Sequence, residues 1–252
     1  MVLKKYTSLL PAILMILFSC DHIPTENDAV EINQRGIVYM NAGKYDSALS
    51  YFLKAIQNPK LSKISKGTIY RNIAITYSEL VNVDSAVHYS TLASKCYRKN
   101  SFNYLVNLAD VDLHVRKTGD ALNKLIKAVN IEPGEMSVNN SLGLIYLGEY
   151  DDVFTDLKKA LEYNSKAFEL DNSRVIEEVL ARNYYKLDDF ENAQLHYTHL
   201  LGEHPDLVTY PLYMGMIKHK MRKMVEAENF FEKVILMDSS YKETIAIFKQ
   251  NN

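Results

Sequence analysis

GIVYMNAGKYDSALSYFLKAIQNP (36–59) and LARNYYKLDDFENAQLHYTHLLGEHP (180–205) share a frame. Each holds a small residue, Gly36 or Ala181, and a tyrosine three positions later, Tyr39 or Tyr184. An alanine follows twelve positions after the small residue, Ala48 or Ala193, and a proline closes the unit, Pro59 or Pro205. The small residue recurs as Ala74, Ala109, Gly143 and Gly215, and the second anchor as Ala86, Ala121, Ala160 and Ala227. The gap between anchors is twelve in five repeats and seventeen in the fourth, and successive units lie about 36 residues apart. Two antiparallel helices approach to about 8–10 Å only where side chains are small. A period of this length therefore reads as a helix pair that buries its apolar face by stacking on the next pair.

Further positions carry a family resemblance. Tyr39, Tyr77, Tyr146 and Tyr184 lie three after the first anchor; Ala55, Ala93, Ala128, Ala167, Leu200 and Val234 lie seven after the second. Pro133 and Pro205 stand where a repeat closes, and Pro59 is one residue early. The frame resembles the tetratricopeptide repeat over residues 29–239, although the first-helix tryptophan of that family is absent and Asp112 and Lys218 replace the tyrosine in two repeats. The resemblance implies an all-α solenoid of about six helix-turn-helix repeats whose first helices line a concave groove that binds protein. Residues 240–252 are predicted to form a capping helix with Ile245 and Phe248 inward. Tyr39 is expected to pack with Phe52, and Tyr184 with Tyr197. Asp46, Asp84, Asp120 and the pair Asp188–Asp189 are expected to cap the second helices. In the fourth repeat, EYDDV (149–153) and ALEYNSKAFELDN (160–172) compete for the second-helix register. That conflict predicts an overlong helix from about residue 152 to 170, bent or protruding.

The chain begins MVLKKYTSLLPAILMILFSC. Lys4 and Lys5 precede an apolar run from Leu9 to Phe18, too short for a bilayer core that needs about 20 residues. It fits the hydrophobic region of a secretory signal. Leu17-Phe18-Ser19-Cys20 resembles the lipobox of bacterial lipoproteins, which implies cleavage after residue 19 and a diacylglycerol on Cys20. Residues 20–28 then read as a tether, and the expected location is the bacterial envelope, at the outer membrane or the periplasmic face of the inner membrane. Cleavage would remove both lysines and take the formal charge from −2 to −4.

Composition narrows the chemistry. Near-neutral charge, with 29 Lys+Arg against 31 Asp+Glu, argues against nucleic acid as a partner. Two cysteines, Cys20 and Cys96, make neither a disulfide framework nor a four-cysteine zinc site. Cys96 is expected to be a buried or half-buried structural thiol. There is no glycine-rich phosphate loop, GxSxG, HExxH or calcium loop, so no enzyme and no cofactor is expected. His196 and His199 share a helix face as a metal pair would, but no third ligand completes the set, and they read as solvated surface histidines. Asp151, Asp152 and Asp156 read as helix caps rather than a metal site.

The groove face is the remaining candidate. One after the first anchor stand Ile37, Ile75, Asp110, Leu144, Arg182 and Met216. Three before it stand Asn33, Arg71, Val106, Asn140, Glu178 and Leu212, and four after it Met40, Ser78, Leu113, Leu147, Tyr185 and His219. An apolar strip with isolated charges suits a helix or extended peptide of a protein partner. The expected function is a non-enzymatic adaptor held at a membrane by its lipid. The alternative is a module binding glycan or peptide through Glu178, Arg182, Tyr185 and His219.

Overall fold

The computed structural model describes residues 25–251. The expected signal segment, Cys20 and the first part of the expected tether lie outside the described residues. The first repeat pairs α1 (Glu26–Asn41) with α2 (Tyr45–Ile56), and the second α3 (Lys63–Glu79) with α4 (Val83–Lys95). Next come α5 (Phe102–His114) with α6 (Thr118–Ile131), α7 (Met136–Tyr146) with α8 (Leu157–Leu170), and α9 (Arg174–Lys186) with α10 (Phe190–Glu203). The sixth pair is α11 (Thr209–Lys220) with α12 (Met224–Met237), and α13 (Tyr241–Gln250) packs on α12. Each helix packs mainly on its partner and on the adjoining repeat, so the architecture is an α-solenoid.

The two anchors do what the frame demands. All six second-anchor alanines are fully buried, and the six first anchors are buried too. A methyl at Gly36 would lie 2.6 Å from Phe52 Cδ1, and one at Gly215 would lie 2.7 Å from the Phe231 ring. Glycine is required at both because a buried aromatic ring occupies the space of a Cβ. Tyr39 and Tyr184 pack against the core clusters that hold Phe52 and Tyr197, and the tyrosines make a further contact that the frame did not predict. Tyr39 stacks on Tyr51, Tyr77 on Tyr89, Tyr146 on Tyr163 and Tyr184 on His196, with ring centroids 5.1–5.8 Å apart. Phe52 and Tyr197 sit one helical position further on, against the core. In the third repeat, where Asp112 replaces tyrosine, the equivalent contact is an ion pair with Lys124.

The turn inside each repeat is one motif used six times. Gly43, Val81, Arg116, Gly148, Asp188 and Arg222 all have positive φ, between 56° and 83°. The next residue donates its N–H back across the helix end, as in Lys44 to Tyr39 (2.9 Å), Asn82 to Tyr77 (2.8 Å) and Asp189 to Tyr184 (3.0 Å). That is the Schellman closure, which satisfies carbonyls the helix end leaves unpaired. It also corrects the expected caps. The residue donating this bond is already the N-cap of the next helix, so Lys44, Asn82 and Lys117 occupy that place. Asp46, Asp84 and Asp120 instead fall in the first turn, where they act on the helix dipole. Asp189 does cap, accepting from Asn192 N at 3.2 Å.

The fourth repeat departs most. No overlong helix forms. Gly148, at φ 83°, ends α7 two residues early in the frame, and a 3₁₀ turn (Asp152–Phe154) precedes α8. Two aspartates stop the helix from extending backward: Asp151 caps the 3₁₀ turn through Val153 N (3.1 Å), and Asp156 caps α8 through Lys159 N (3.1 Å). Asp156 N closes the loop on Tyr146 O at 2.8 Å. The extra residues therefore emerge as a strap between the helices. At the far end, Ile245 of α13 is buried and Phe248 lies on Phe231 and His219.

Candidate functional site

Most of the groove positions read from the frame are half-buried, neither in the core nor fully in solvent. Such intermediate exposure is what first helices give along an inner face. Between α3, α5, α7 and the start of α9 that face deepens into a groove of about 730 Å³. Arg71, Ile75 and Asp110 line it, with Leu113 and Asn140. Ile37, Leu144, Glu178, Arg182, Tyr185, Met216 and His219 lie on the same inner helices but do not line this groove. Leu144 packs onto the central core and Met216 onto the last one.

Asp110 sits at the middle of the groove. Burial pushes its carboxyl above the usual carboxylate range, while the charges of Arg71 and His114 pull it back. No hydrogen bond within the chain reaches it. Nearby, Arg71 Nε and Asn140 Oδ1 are buried without a hydrogen-bond partner. Unpartnered buried polar atoms are rare in folded chains and costly, so a cluster of them marks a place where a ligand can supply partners.

The strap of repeat four closes one side of this groove. Tyr150 lines it, and burial first, then the charges of Asp110 and Glu149, raise its phenol. Glu149 holds the strap down from the neighbouring repeat, 3.6 Å from Lys186 Nζ and 4.0 Å from Arg182 Nε. Lys186 Nζ also donates to Leu147 O at 3.0 Å. At the other end Phe154 packs against the position of Gly119 on α6. The frame pointed to Arg71, Ile75 and Asp110 and put Asn140 and Leu113 on the same face, but it missed Tyr150 altogether. The seventeen-residue gap was the only available signal for Tyr150.

Further along, the polar groups already serve one another. Tyr210 OH donates to Glu178 Oε2 at 3.1 Å and accepts from Arg174 Nη1 at 3.1 Å. Tyr185 packs on Tyr213 and Phe190, and burial raises its phenol to about 12. The His219 ring meets Phe248 edge-on. The two histidines of α10 are not simply solvated, which corrects the sequence expectation. Buried Glu177 of α9 bonds His196 Nδ1 at 3.0 Å and His199 Nδ1 at 2.8 Å, and His196 is packed between Tyr184 and Phe168. Among the described residues no cluster of histidine, cysteine and carboxylates is arranged to hold a metal. Cys96 is half-buried, its thiol raised by burial and directed at Leu92 O (3.5 Å). No helix among the described residues is long and apolar enough to cross a membrane.

Comparison with known proteins agrees with this geometry. The family model of the tetratricopeptide repeat matches residues 32–58. No curated protein matches the sequence. Among solved structures, a chain of the APC/C hetero-tetramer Cut9–Hcn1 superposes with a TM-score of 0.68 at 15% identity, over 89% of this chain. This chain spans 44% of that one's length. Pseudomonas aeruginosa pilF superposes at 0.62 and 17% identity, over 88% of this chain and 98% of its own. A thermophilic tetratricopeptide-repeat protein of Thermus thermophilus superposes at 0.57 and 19% identity, over 77% of this chain and 98% of its own. At these identities the likeness is one of fold.

Proposed function

Because the chain carries a tetratricopeptide-repeat fold, we propose that it is a non-enzymatic adaptor whose inner groove holds a segment of a protein partner. The observation that carries this reading is the groove between α3, α5, α7 and α9, with its unpartnered Arg71 Nε and Asn140 Oδ1 beside an unbonded Asp110. An extended or helical polypeptide has donors and acceptors for each, and side chains for the apolar walls at Ile75 and Leu113. The lipobox resemblance adds a second element: a lipid on Cys20 would hold the solenoid at a bacterial membrane, which raises the local concentration of a membrane partner, so modest groove affinity suffices.

A photo-crosslinking residue at Ile75, compared with one at the exposed Leu195 of α10, tests the groove in cells. The expected outcome is a discrete adduct from position 75 that position 195 does not give. Equal adduct patterns from both positions would sink the groove reading. Metabolic labelling with a fatty-acid analogue tests the anchor: label is expected on the wild type and absent after Cys20→Ser. Label retained by the variant removes the anchor and leaves the groove untouched.

A further inference from the structure

The strap turns part of an open groove into a pocket with a chemistry of its own. Asp110 lines it, and among the described residues no hydrogen bond or ion pair reaches its carboxyl, although Arg71 and His114 lie within electrostatic range. Asn140 Oδ1 adds a buried acceptor without a donor. Glu79, at the rim, is engaged by the Tyr45 hydroxyl at 3.1 Å. Tyr150 closes the side with an aromatic ring, and Ile75, Leu113, Met136 and Ile176 form apolar walls.

We propose that this pocket takes the cationic side chain of a lysine or arginine from the segment held in the groove, its charged head between the Asp110 carboxylate and the Tyr150 ring. The proposal rests on the groove reading above and adds which residue the partner must carry. A carboxylate drawn out of water with no hydrogen bond and only distant positive charge is costly, and an incoming cation in direct contact reduces that cost. The ring face of Tyr150 attracts the same charge. The methylene stem of lysine or arginine lies along apolar walls while its head reaches the acid. Arg71 Nε, the one orphan donor, is left for a backbone carbonyl of the segment. An acidic side chain would instead meet Asp110 and Glu79, and that repulsion selects against it.

The test uses the full chain and defined probes: acetylated, amidated octapeptide pools of alanine, leucine, serine and tyrosine, with one position fixed as lysine, arginine, norleucine, acetyl-lysine or glutamate. Fluorescence anisotropy is expected to give lysine and arginine pools at least about tenfold tighter than norleucine, acetyl-lysine or glutamate pools. Asp110→Asn should abolish that ratio, Tyr150→Ala should weaken it several-fold, and Tyr150→Phe should keep it. Thermal melts of the variants establish that each is folded. Pools that bind equally, or a lysine preference that survives Asp110→Asn, overturn the proposal. If binding without preference disappears in an Ile75→Glu variant that melts as wild type, the groove reading stands and the cationic pocket falls. No binding by any pool, or binding indifferent to Ile75→Glu, removes both.

Discussion

The two halves of the inner face are built from the same frame and have opposite economies. In the N-terminal half, around α3, α5 and α7, polar groups point into the groove and find nothing: Asp110, Arg71 Nε and Asn140 Oδ1. In the C-terminal half, around α9 and α11, more of the equivalent positions are engaged within the chain: Glu178 accepts from Tyr210, Arg182 lies 4.0 Å from Glu149, and Tyr185 meets Tyr213 edge-on, while Arg182 Nε and His219 Nδ1 stay buried without a hydrogen-bond partner. A face whose polar groups are satisfied internally contributes to stability; one whose groups are left unsatisfied gives up stability and keeps its binding capacity. The open groove lies in one half of a molecule whose repeats look alike in sequence.

The sharpest way to break that contrast is to truncate a large side chain in each half. Tyr197 of α10 is fully buried, with its ring 4.7 Å from Tyr213; Tyr197→Ala should cost about 3–5 kcal/mol in denaturant unfolding. Ile75→Ala, in the half-open groove, should cost less than half of that. Equal costs would show the two halves to be equally structural. A smaller effect comes from the Arg174–Tyr210–Glu178 chain. Tyr210→Phe removes one hydroxyl from between two charged groups and should cost about 1–2 kcal/mol. Next is the pair of turns that match across the halves. Val81 is a β-branched residue at φ 56°, largely exposed, so Val81→Gly should stabilise by about 1 kcal/mol. Asp188, at φ 58°, belongs to a type that tolerates this region, and Asp188→Gly should gain less.

The smallest effects are read as pH dependence, and the two halves should differ in which group supplies it. Bonding to Glu177 raises His199 above its ordinary value, so the folded chain holds that proton more tightly than the unfolded one. The stability this confers is full below the ordinary histidine range and lost as pH rises through the raised folded value. Asp110 is raised by burial, so its folded form also keeps a proton longer; its contribution likewise favours the fold at lower pH and fades as pH rises through its raised value. Melts of the two variants from pH 3 to 9 separate the contributions: His199→Asn should remove the part set by His199 alone, and Asp110→Asn should remove the part set by Asp110 and melt no earlier than wild type at pH 7.

Most of the fold was legible in the sequence because small residues at a helix crossing leave a signal that survives any change around them. Gly36, Ala48 and their five counterparts form such a frame. The tyrosine contacts were only half legible. The frame brings Tyr39 near α2, but whether it meets Tyr51 or Phe52 depends on how far the helix has turned. The strap was misread because both Val153 and Ala160 satisfy a second-helix pattern. Backbone geometry at Gly148, with caps at Asp151 and Asp156, decided between them. The inner face was legible as a list of positions and illegible as a site. Arg71, Ile75 and Asp110 were found, but nothing local to Glu178 or Arg182 says that Tyr210 and Glu149 already occupy them, since those partners lie some thirty residues away along the chain.

The strap has a mechanical consequence. Glu149 leans on Lys186 and Arg182 of the fifth repeat, while Phe154 rests on α6 of the third. One loop of the fourth repeat thus braces both of its neighbours, adding contacts to the helix packing that joins each unit to the next. A solenoid behaves as a spring whose compliance is shared among its interfaces, and this one is splinted near its middle. Twisting and bending are pushed outward to α1 and α13, so amide hydrogens of α5 to α9 should exchange more slowly than those at either end. The pocket bordered by Tyr150 then keeps its width while the rest of the coil flexes around it.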